Sequence, residues 1–122
     1  AALRHARVAA LEPLLRTADQ AMAAARLAAR LGDVGLMERF LLRCAGLDRQ
    51  RPDALAGLAR LYASAGRAVE AAICAGEAKR AALSAGIPDP LADPDANAFL
   101  AAAGEHPGLE RYRALFRLSG GT

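Results

Sequence analysis

Apolar residues recur at intervals of three and four along most of this 122-residue chain. Such spacing places them on one face of an α-helix and predicts an amphipathic helix wherever it is sustained. Pro and Gly interrupt the pattern, because Pro starts or ends helices and Gly commonly terminates them. The pattern predicts helices over residues 1–12, 14–31, 34–47, 53–65 and 68–84, followed by two shorter helices near 95–103 and 107–118.

A proline-rich stretch separates the fifth and sixth of these helices. Pro88, Pro90 and Pro94 fall within seven residues, and so many prolines forbid a continuous helix. We therefore predict an extended, partly rigid connector over residues 86–94.

The composition favours helix over strand and disfavours most enzymes. Ala, Leu and Arg number 33, 19 and 15, whereas Val, Ile and Thr together number only seven. With 54% apolar and 24% charged residues, the chain is expected to fold as a globular all-α domain. Three Phe, two Tyr and no Trp predict a core of small side chains, without aromatic platforms for bases or sugars.

The charge excess is small, and the basic residues are spread along the chain and interleaved with Glu and Asp. Lys and Arg number 16 against 13 Asp and Glu, a formal net charge of +3. A nucleic-acid interface would cluster the basic residues, so the pattern favours a solvated helical surface and argues against nucleic acid as the partner. No apolar run approaches the roughly 20 residues needed to cross a bilayer, and no membrane span is predicted.

Recognised catalytic and metal-binding motifs do not occur in the sequence. His5 and His106 are isolated along the chain and are expected at the surface. None of the three serines lies in a nucleophile elbow, and phosphate-cradling glycine motifs are missing. The acidic residues near the connector do not predict a calcium loop, because three prolines among them prevent the loop geometry and the terminal Glu is missing. We therefore predict a protein that is not an enzyme, with no metal, no cofactor and no small-molecule substrate.

The spacing of the two cysteines indicates a packing role and no disulfide or metal site. Cys44 and Cys74 match neither a metal-binding spacing nor a disulfide framework. Both are expected to behave as small buried apolar residues.

A repeat period of about 34 residues, which is typical of helix-turn-helix arrays, is the most informative feature of the chain. Gly32 and Gly66 are separated by this interval. The same interval relates Ala25 and Ala59, Arg26 and Arg60, Leu27 and Leu61, Ala29 and Ala63, and Asp19 and Asp53. Because an Ala-rich chain produces identities by accident, the residue types within the second copy carry more weight. They are Leu55, Leu58-Ala59, Tyr62, Gly66, Glu70-Ala71 and Ala78.

This pattern resembles the tetratricopeptide repeat, whose two antiparallel helices carry large-small pairs, an aromatic residue and small crossing residues. Ala59, Ala71 and Ala78 would allow two helix backbones to approach closely, and Tyr62 would fill the wedge beside them. In the first copy Ala28 stands where the aromatic is expected, which leaves a volume that Phe40 could fill.

The resemblance implies antiparallel helix-turn-helix repeats stacked as a short right-handed solenoid with capping helices. It is clearest over 52–85, weaker over 18–51 and degenerate over 90–118. Residues 1–122 would then form a single domain. Its parts would be an N-terminal capping helix (1–16), two repeats (18–51 and 52–85), the connector (86–94) and a degenerate repeat or C-terminal capping helices (95–118). The flanking helices are expected to act as caps, because fewer than three repeats bury little continuous core.

In this family the first helices of successive repeats line a groove that accepts a peptide or a partner helix. The resemblance therefore implies a protein–protein interaction scaffold. Helical spacing places the predicted partner-binding residues on one face of each first helix: Asp19, Met22, Arg26 and Arg30, then Asp53, Gly57 and Arg60. Such a groove would suit small apolar side chains and a carboxylate gripped by Arg. Alternatively, these arginines only solubilise the surface or pair with Asp19, Glu38 or Asp53.

Two other function classes stay open at this point. One is a regulatory or substrate-docking fragment of a larger enzyme such as a glycosyltransferase, and the other is a basic helical nucleic-acid-binding domain. Self-association is a further partner class. The carboxylate-clamp subgroup of the family uses Lys and Asn where this chain has Arg and Ala, so recognition of chaperone C-termini is not carried over. The sequence does not indicate a compartment, with the cytoplasm slightly favoured.

Overall fold

A computed structural model describes residues 2–119, with side chains described for residues 3–115. Within that range all regular elements are helical, which confirms the all-α prediction. The α-helices are α1 (Ala2–Ala9), α2 (Ala18–Leu31), α3 (Val34–Leu47), α4 (Pro52–Ser64), α5 (Ala68–Ala85), α6 (Asp93–Ala103) and α7 (Glu110–Ser119). Single 3-10 turns occupy Glu12–Leu14 and Pro107–Leu109. Two compact units are present, unit 1 (Ala1–Arg49) and unit 2 (Gln50–Thr122).

Unit 1 is a helical hairpin of α2 and α3, with α1 packed against α2. A capping box starts α2: the Thr17 Oγ1 accepts the Gln20 N–H, and the Gln20 Oε1 accepts the Thr17 N–H, both at 3.1 Å. Gly32 ends α2 in the left-handed conformation, and the Asp33 side chain then caps α3 by accepting the Leu36 N–H at 3.1 Å. The hairpin turn is therefore specified by consecutive residues.

The core of unit 1 combines small residues from α2 with larger ones from α3. The buried residues of α2 are Ala21, Met22, Ala24, Ala25 and Ala28, and those of α3 are Leu36, Phe40, Leu41 and Cys44. Ala28 and Phe40 are both fully buried, as expected if the large ring compensates for the missing aromatic in α2.

Unit 2 is built around α5, which contacts α4, α6 and α7. Ala59, Ala71 and Ala78, the residues predicted at the close approach of the helices, all have 0% exposure. Tyr62 is 6% exposed, and the guanidinium carbon of Arg67 lies 4.4 Å from the centre of its ring. The small side chains let the backbones of α4 and α5 pack closely.

A glycine also brings α7 against α5. A Cβ atom built on Gly76 would lie 2.3 Å from the Tyr112 Cγ, far inside van der Waals contact. Tyr112 is buried, and its hydroxyl donates a hydrogen bond to the Glu77 Oε2 at 2.6 Å. The ring of Tyr112 therefore occupies the space that a side chain at position 76 would need.

The sequence period reappears in the helices. The interval from the start of α2 to the start of α4 equals the interval from α3 to α5, and both equal the spacing of Gly32 and Gly66. These two glycines have φ angles of 70° and 78°, which L side chains rarely adopt. The turn within each hairpin thus depends on glycine at the same place in the period.

Some boundaries differ from those predicted. Helix α1 ends at Ala9, short of residue 12, because Pro13 lies in the following 3-10 turn. Helix α2 begins at Ala18 and not at Leu14 as predicted, because Thr17 caps it. Residues 1 and 120–122 of the predicted domain lie outside the described residues. Among the helices that the structure describes, none is both long enough and apolar enough to span a membrane.

Candidate functional site

The predicted partner-binding residues of unit 1 lie along α2 and differ in accessibility. Asp19, Arg26 and Arg30 are exposed, and so is Ala23, which shares their face of the helix. Met22 is only 6% exposed and contributes to packing. The guanidinium groups of Arg26 and Arg30 form no hydrogen bond or ion pair with residues 3–115. The exposed face of α2 therefore carries a small side chain at its middle and basic side chains towards its C-terminal end.

The residues predicted on α4 are engaged within unit 2. Asp53 is held bidentately by Arg51, with Nε–Oδ1 and Nη2–Oδ2 distances of 3.0 Å each. Arg60 is exposed and donates from Nη2 to the Pro90 carbonyl at 3.0 Å. Gly57, between them on the same face, is half-buried. Neither contact was predicted, although the spacing of Arg51 and Asp53 is compatible with a local pair.

The connector is anchored beside the start of α4. Leu91 is buried in the core of unit 2, and the Asp89 Oδ1 accepts its N–H at 3.0 Å. A cavity of about 290 Å³ opens next to the connector. Its lining residues are Arg51, Pro52, Asp53, Ile87, Pro88 and Pro90. Part of the predicted docking face of α4 is therefore flanked by the chain's own proline-rich segment.

The ionised form of the Asp89 side chain is electrostatically unfavourable in this position. Its Oδ2 is buried and has no hydrogen-bond partner among the described residues. Burial raises the pKa of the Asp89 carboxyl, and the nearby Asp93 adds to that effect. Asp93 itself pairs with the Lys79 Nζ at 3.1 Å. The connector thus carries a carboxylate whose burial is offset only in part by the backbone hydrogen bond from Leu91 and by the charges of Lys79 and Arg60.

A polar cluster in unit 1 links residues that are distant in sequence. The His5 Nδ1 lies 2.7 Å from the Asp33 Oδ2, across 28 residues of chain. The bond from His5, followed by that from the Leu36 N–H, lowers the pKa of Asp33. Arg39 pairs with Glu12, with an Nε–Oε2 distance of 3.0 Å. His5, which was expected at the surface, is half-buried, and no sequence pattern indicated its acidic partner.

Glu77 carries a second cluster, on α5. Its carboxylate accepts hydrogen bonds from the Arg80 Nη2 and the Tyr112 hydroxyl, both at 2.6 Å. The bond from Arg80 is the main cause of the lowered pKa of Glu77. Burial is the main cause of the raised pKa of Tyr112. This cluster fastens α7 to α5 and has no exposed nucleophile.

One cysteine lies in each unit. Cys44 is buried, and its Sγ donates to the Ala18 carbonyl at 3.3 Å. Cys74 is half-buried, and burial raises the pKa of its thiol to about 11. The first thiol is therefore shielded and the second protonated, in keeping with a packing role. Within the described part of the chain no three His, Cys, Asp or Glu residues are grouped closely enough to hold a metal ion.

Comparison of the chain with protein-family models, with curated proteins and with solved structures gave no match. The tetratricopeptide interpretation therefore depends on the residues and helices described above.

Proposed function

We propose that this chain is a non-enzymatic, tetratricopeptide-like scaffold that docks a protein segment on the exposed faces of α2 and α4. The observation that carries the proposal is the helical hairpin that recurs at the interval of Gly32 and Gly66, with a left-handed glycine at the same place in each copy. The fully buried alanines of the second copy support it, because close helix contact is what the resemblance implies.

The charge distribution indicates the kind of segment that docks. Unit 1 contains eight arginines and five acidic residues, whereas unit 2 contains eight basic and eight acidic residues. The whole formal excess of +3 thus lies in unit 1. Arg26 and Arg30 are exposed there beside Ala23, so the partner segment carries carboxylates and small apolar side chains.

Arg60 gives the face of α4 the same chemistry. A guanidinium has five N–H donors, and only the Nη2 of Arg60 is directed to the Pro90 carbonyl. Arg60 can therefore donate hydrogen bonds to the Pro90 carbonyl and to a carboxylate of the partner at the same time.

Replacing Arg26 and Arg60 by Glu together tests this assignment. Charge reversal should reduce capture of the partner from native lysate about tenfold or more, because two charge-assisted contacts become repulsive. Circular dichroism should show unchanged helix content, since both side chains are exposed and the contact that Arg60 loses is with the connector.

The double change of Arg7 and Arg49 to Glu is the matched control. These arginines are also exposed and lie outside the docking faces, so the variant changes the net charge equally. Capture should be retained by this variant. Equal capture by the wild type and the Arg26 and Arg60 variant, or equal loss in both variants, would refute the docking faces.

A nucleic-acid-binding function is the second candidate, because the positive charge is concentrated in unit 1. It predicts a DNA or RNA shift that weakens steeply as the salt concentration rises. Absence of binding near about 50 mM salt would remove this candidate.

A further inference from the structure

The start of α4 and the proline-rich connector form the two sides of the cavity of about 290 Å³ in unit 2. Pro52 and Asp53 lie in the first turn of α4, whereas Ile87, Pro88 and Pro90 belong to the connector. Ile87 is 48% exposed, although large apolar side chains are usually buried. Ligand cavities commonly measure about 300–1,000 Å³, so this cavity has room for a single compact group.

The connector side of the cavity is fixed at both ends. The Ile87 N–H donates to the Ala82 carbonyl at 3.0 Å, where α5 ends. At the other end the Arg60 Nη2 donates to the Pro90 carbonyl at 3.0 Å, and the next residue, Leu91, is buried. Proline restricts the backbone between these points. The cavity is therefore formed before an occupant arrives, which lowers the entropic cost of binding.

The two charged side chains that line the cavity neutralise each other. Arg51 donates from Nε and Nη2 to the two carboxylate oxygens of Asp53, at 3.0 Å each. The Asp53 Oδ1 also accepts the Ala54 N–H at 2.8 Å, which fixes the pair to the backbone of α4. Because both charges in the described lining are already paired, a charged occupant would lose hydration without an equivalent gain. The lining therefore favours an uncharged occupant.

The ion pair also determines which surface of Arg51 meets the occupant. The edge of the guanidinium that carries Nε and Nη2 is directed to Asp53, while Arg51 lines the cavity and its side chain is 21% exposed. A planar guanidinium stacks on the face of an aromatic ring, an interaction that an aliphatic group does not provide. The lining therefore favours an aromatic ring over an aliphatic side chain of similar size.

We propose that this cavity takes one uncharged aromatic side chain of the partner segment that docks on α4. The inference rests on the proposed docking function, because Asp53 belongs both to the predicted docking face and to the lining of the cavity. The ring packs against Ile87 and Pro88 and stacks on the guanidinium of Arg51. An aromatic side chain in a preformed pocket commonly carries much of the affinity of a protein interface. The partner segment thus has one aromatic residue among its small apolar and acidic ones.

Titration with single-residue probes tests the cavity in the absence of the partner. The probes are N-acetyl-phenylalanine amide, N-acetyl-cyclohexylalanine amide and N-acetyl-alanine amide, followed by nuclear magnetic resonance of the isoleucine Cδ1 methyl groups. The chain has two isoleucines: Ile87 reports on the cavity, and Ile73, which packs against the core of unit 2, is the internal control.

The Ile87 methyl signal should shift in a saturable way with the two ring probes, and the Ile73 signal should stay in place. The phenyl probe should bind about two- to fivefold more tightly than the cyclohexyl probe, because only the aromatic ring stacks on Arg51. The alanine probe should not saturate, because it lacks the side chain that fills the cavity.

Variants make the assignment specific to residues. Arg51→Lys keeps the charge and removes the planar group, so it should abolish the preference for phenyl and leave cyclohexyl binding within about twofold. Arg49→Lys makes the same change at an exposed arginine outside the cavity and should retain the preference. Pro88→Ala removes part of the apolar lining and should weaken both ring probes about threefold or more. An unchanged Ile73 signal verifies the fold of each variant.

The inference is overturned by equal binding of the phenyl and cyclohexyl probes to the wild type, or by an unchanged preference in Arg51→Lys. Shifts as large at Ile73 as at Ile87, or no saturation at tens of millimolar probe, would also overturn it. None of these results touches the docking faces themselves, which stand or fall with the capture assay on Arg26 and Arg60. Partner capture that is undiminished in Pro88→Ala would overturn the assignment of the cavity to the partner segment.

Discussion

Tyr62 is the residue on which the packing of the predicted repeat can be tested most directly. Tyr62 is 6% exposed, and its ring is covered by the guanidinium of Arg67. Tyr62→Ala should lower the free energy of unfolding by about 2–4 kcal/mol, because the surrounding helices cannot collapse fully into the cavity. The urea midpoint followed by circular dichroism measures this loss.

Tyr62→Phe is the matched control for that substitution. It keeps the ring and removes the hydroxyl, so it should cost only about 0.5–1.5 kcal/mol. A midpoint for Tyr62→Ala equal to that of the wild type would show that the ring is not a packing element.

At the scale of the helices, the contact between α5 and α7 depends on the absence of a side chain at Gly76. Gly76→Ala places a Cβ 2.3 Å from ring atoms of Tyr112. The ring must then move, and the hydrogen bond from the Tyr112 hydroxyl to Glu77 is lost. The helix propensity gained by Ala is about 1 kcal/mol. Overpacking costs about 1–3 kcal/mol or more, so the net change should be destabilising.

Hydrogen exchange should localise the effect of Gly76→Ala to the amides of α7 and the facing part of α5. Gly46→Ala is the control, since Gly46 lies in the last turn of α3 and a Cβ there meets nothing within 4 Å. That variant should gain about 0.5–1 kcal/mol. A Gly76→Ala protein as stable as Gly46→Ala would contradict the close contact.

Helix starts were predictable from sequence where glycine or a capping residue determines the backbone. The start of α3 at Val34 and that of α5 at Ala68 both agree with prediction, because each follows a turn containing Gly32 or Gly66. The start of α2 was missed because the apolar period continues before Thr17, and only the cap stops it.

The candidate site was less predictable than the helices. Helical spacing predicts on which side of α2 Met22 lies. It does not predict how much of the helix surface is buried, and the buried part includes Met22. The bond between His5 and Asp33 spans 28 residues and depends on the docking of α1. Likewise, the contact of Arg60 with Pro90 depends on the path of the connector, which proline restricts but does not determine.

At the scale of the whole molecule, the carboxylates make stability depend on pH in both directions. The folded structure lowers the pKa of Glu77, so this residue stabilises the fold above the ordinary titration range of glutamate. That contribution is lost as the pH falls through the folded-state pKa. Asp89 has the opposite sign: its pKa is raised, and its stabilising contribution is lost as the pH rises through the folded-state value.

Two isosteric substitutions separate these contributions. Glu77→Gln should be less stable than the wild type at neutral pH and should lose less stability on acidification. Asp89→Asn should be more stable at neutral pH, because an ionised group is removed from a buried position. Urea unfolding at a series of pH values measures both, and shifts of the same sign for the two variants would contradict the assigned directions.

The placement of sulfur has a practical consequence. Cys44 lies in unit 1 and Cys74 in unit 2. While the helices stay packed, burial shields the Cys44 thiol and raises the pKa of the Cys74 thiol, so neither reacts readily. A pulse of alkylating reagent followed by mass spectrometry of the two peptides would therefore time the opening of each half separately, in unmodified protein and without an introduced label.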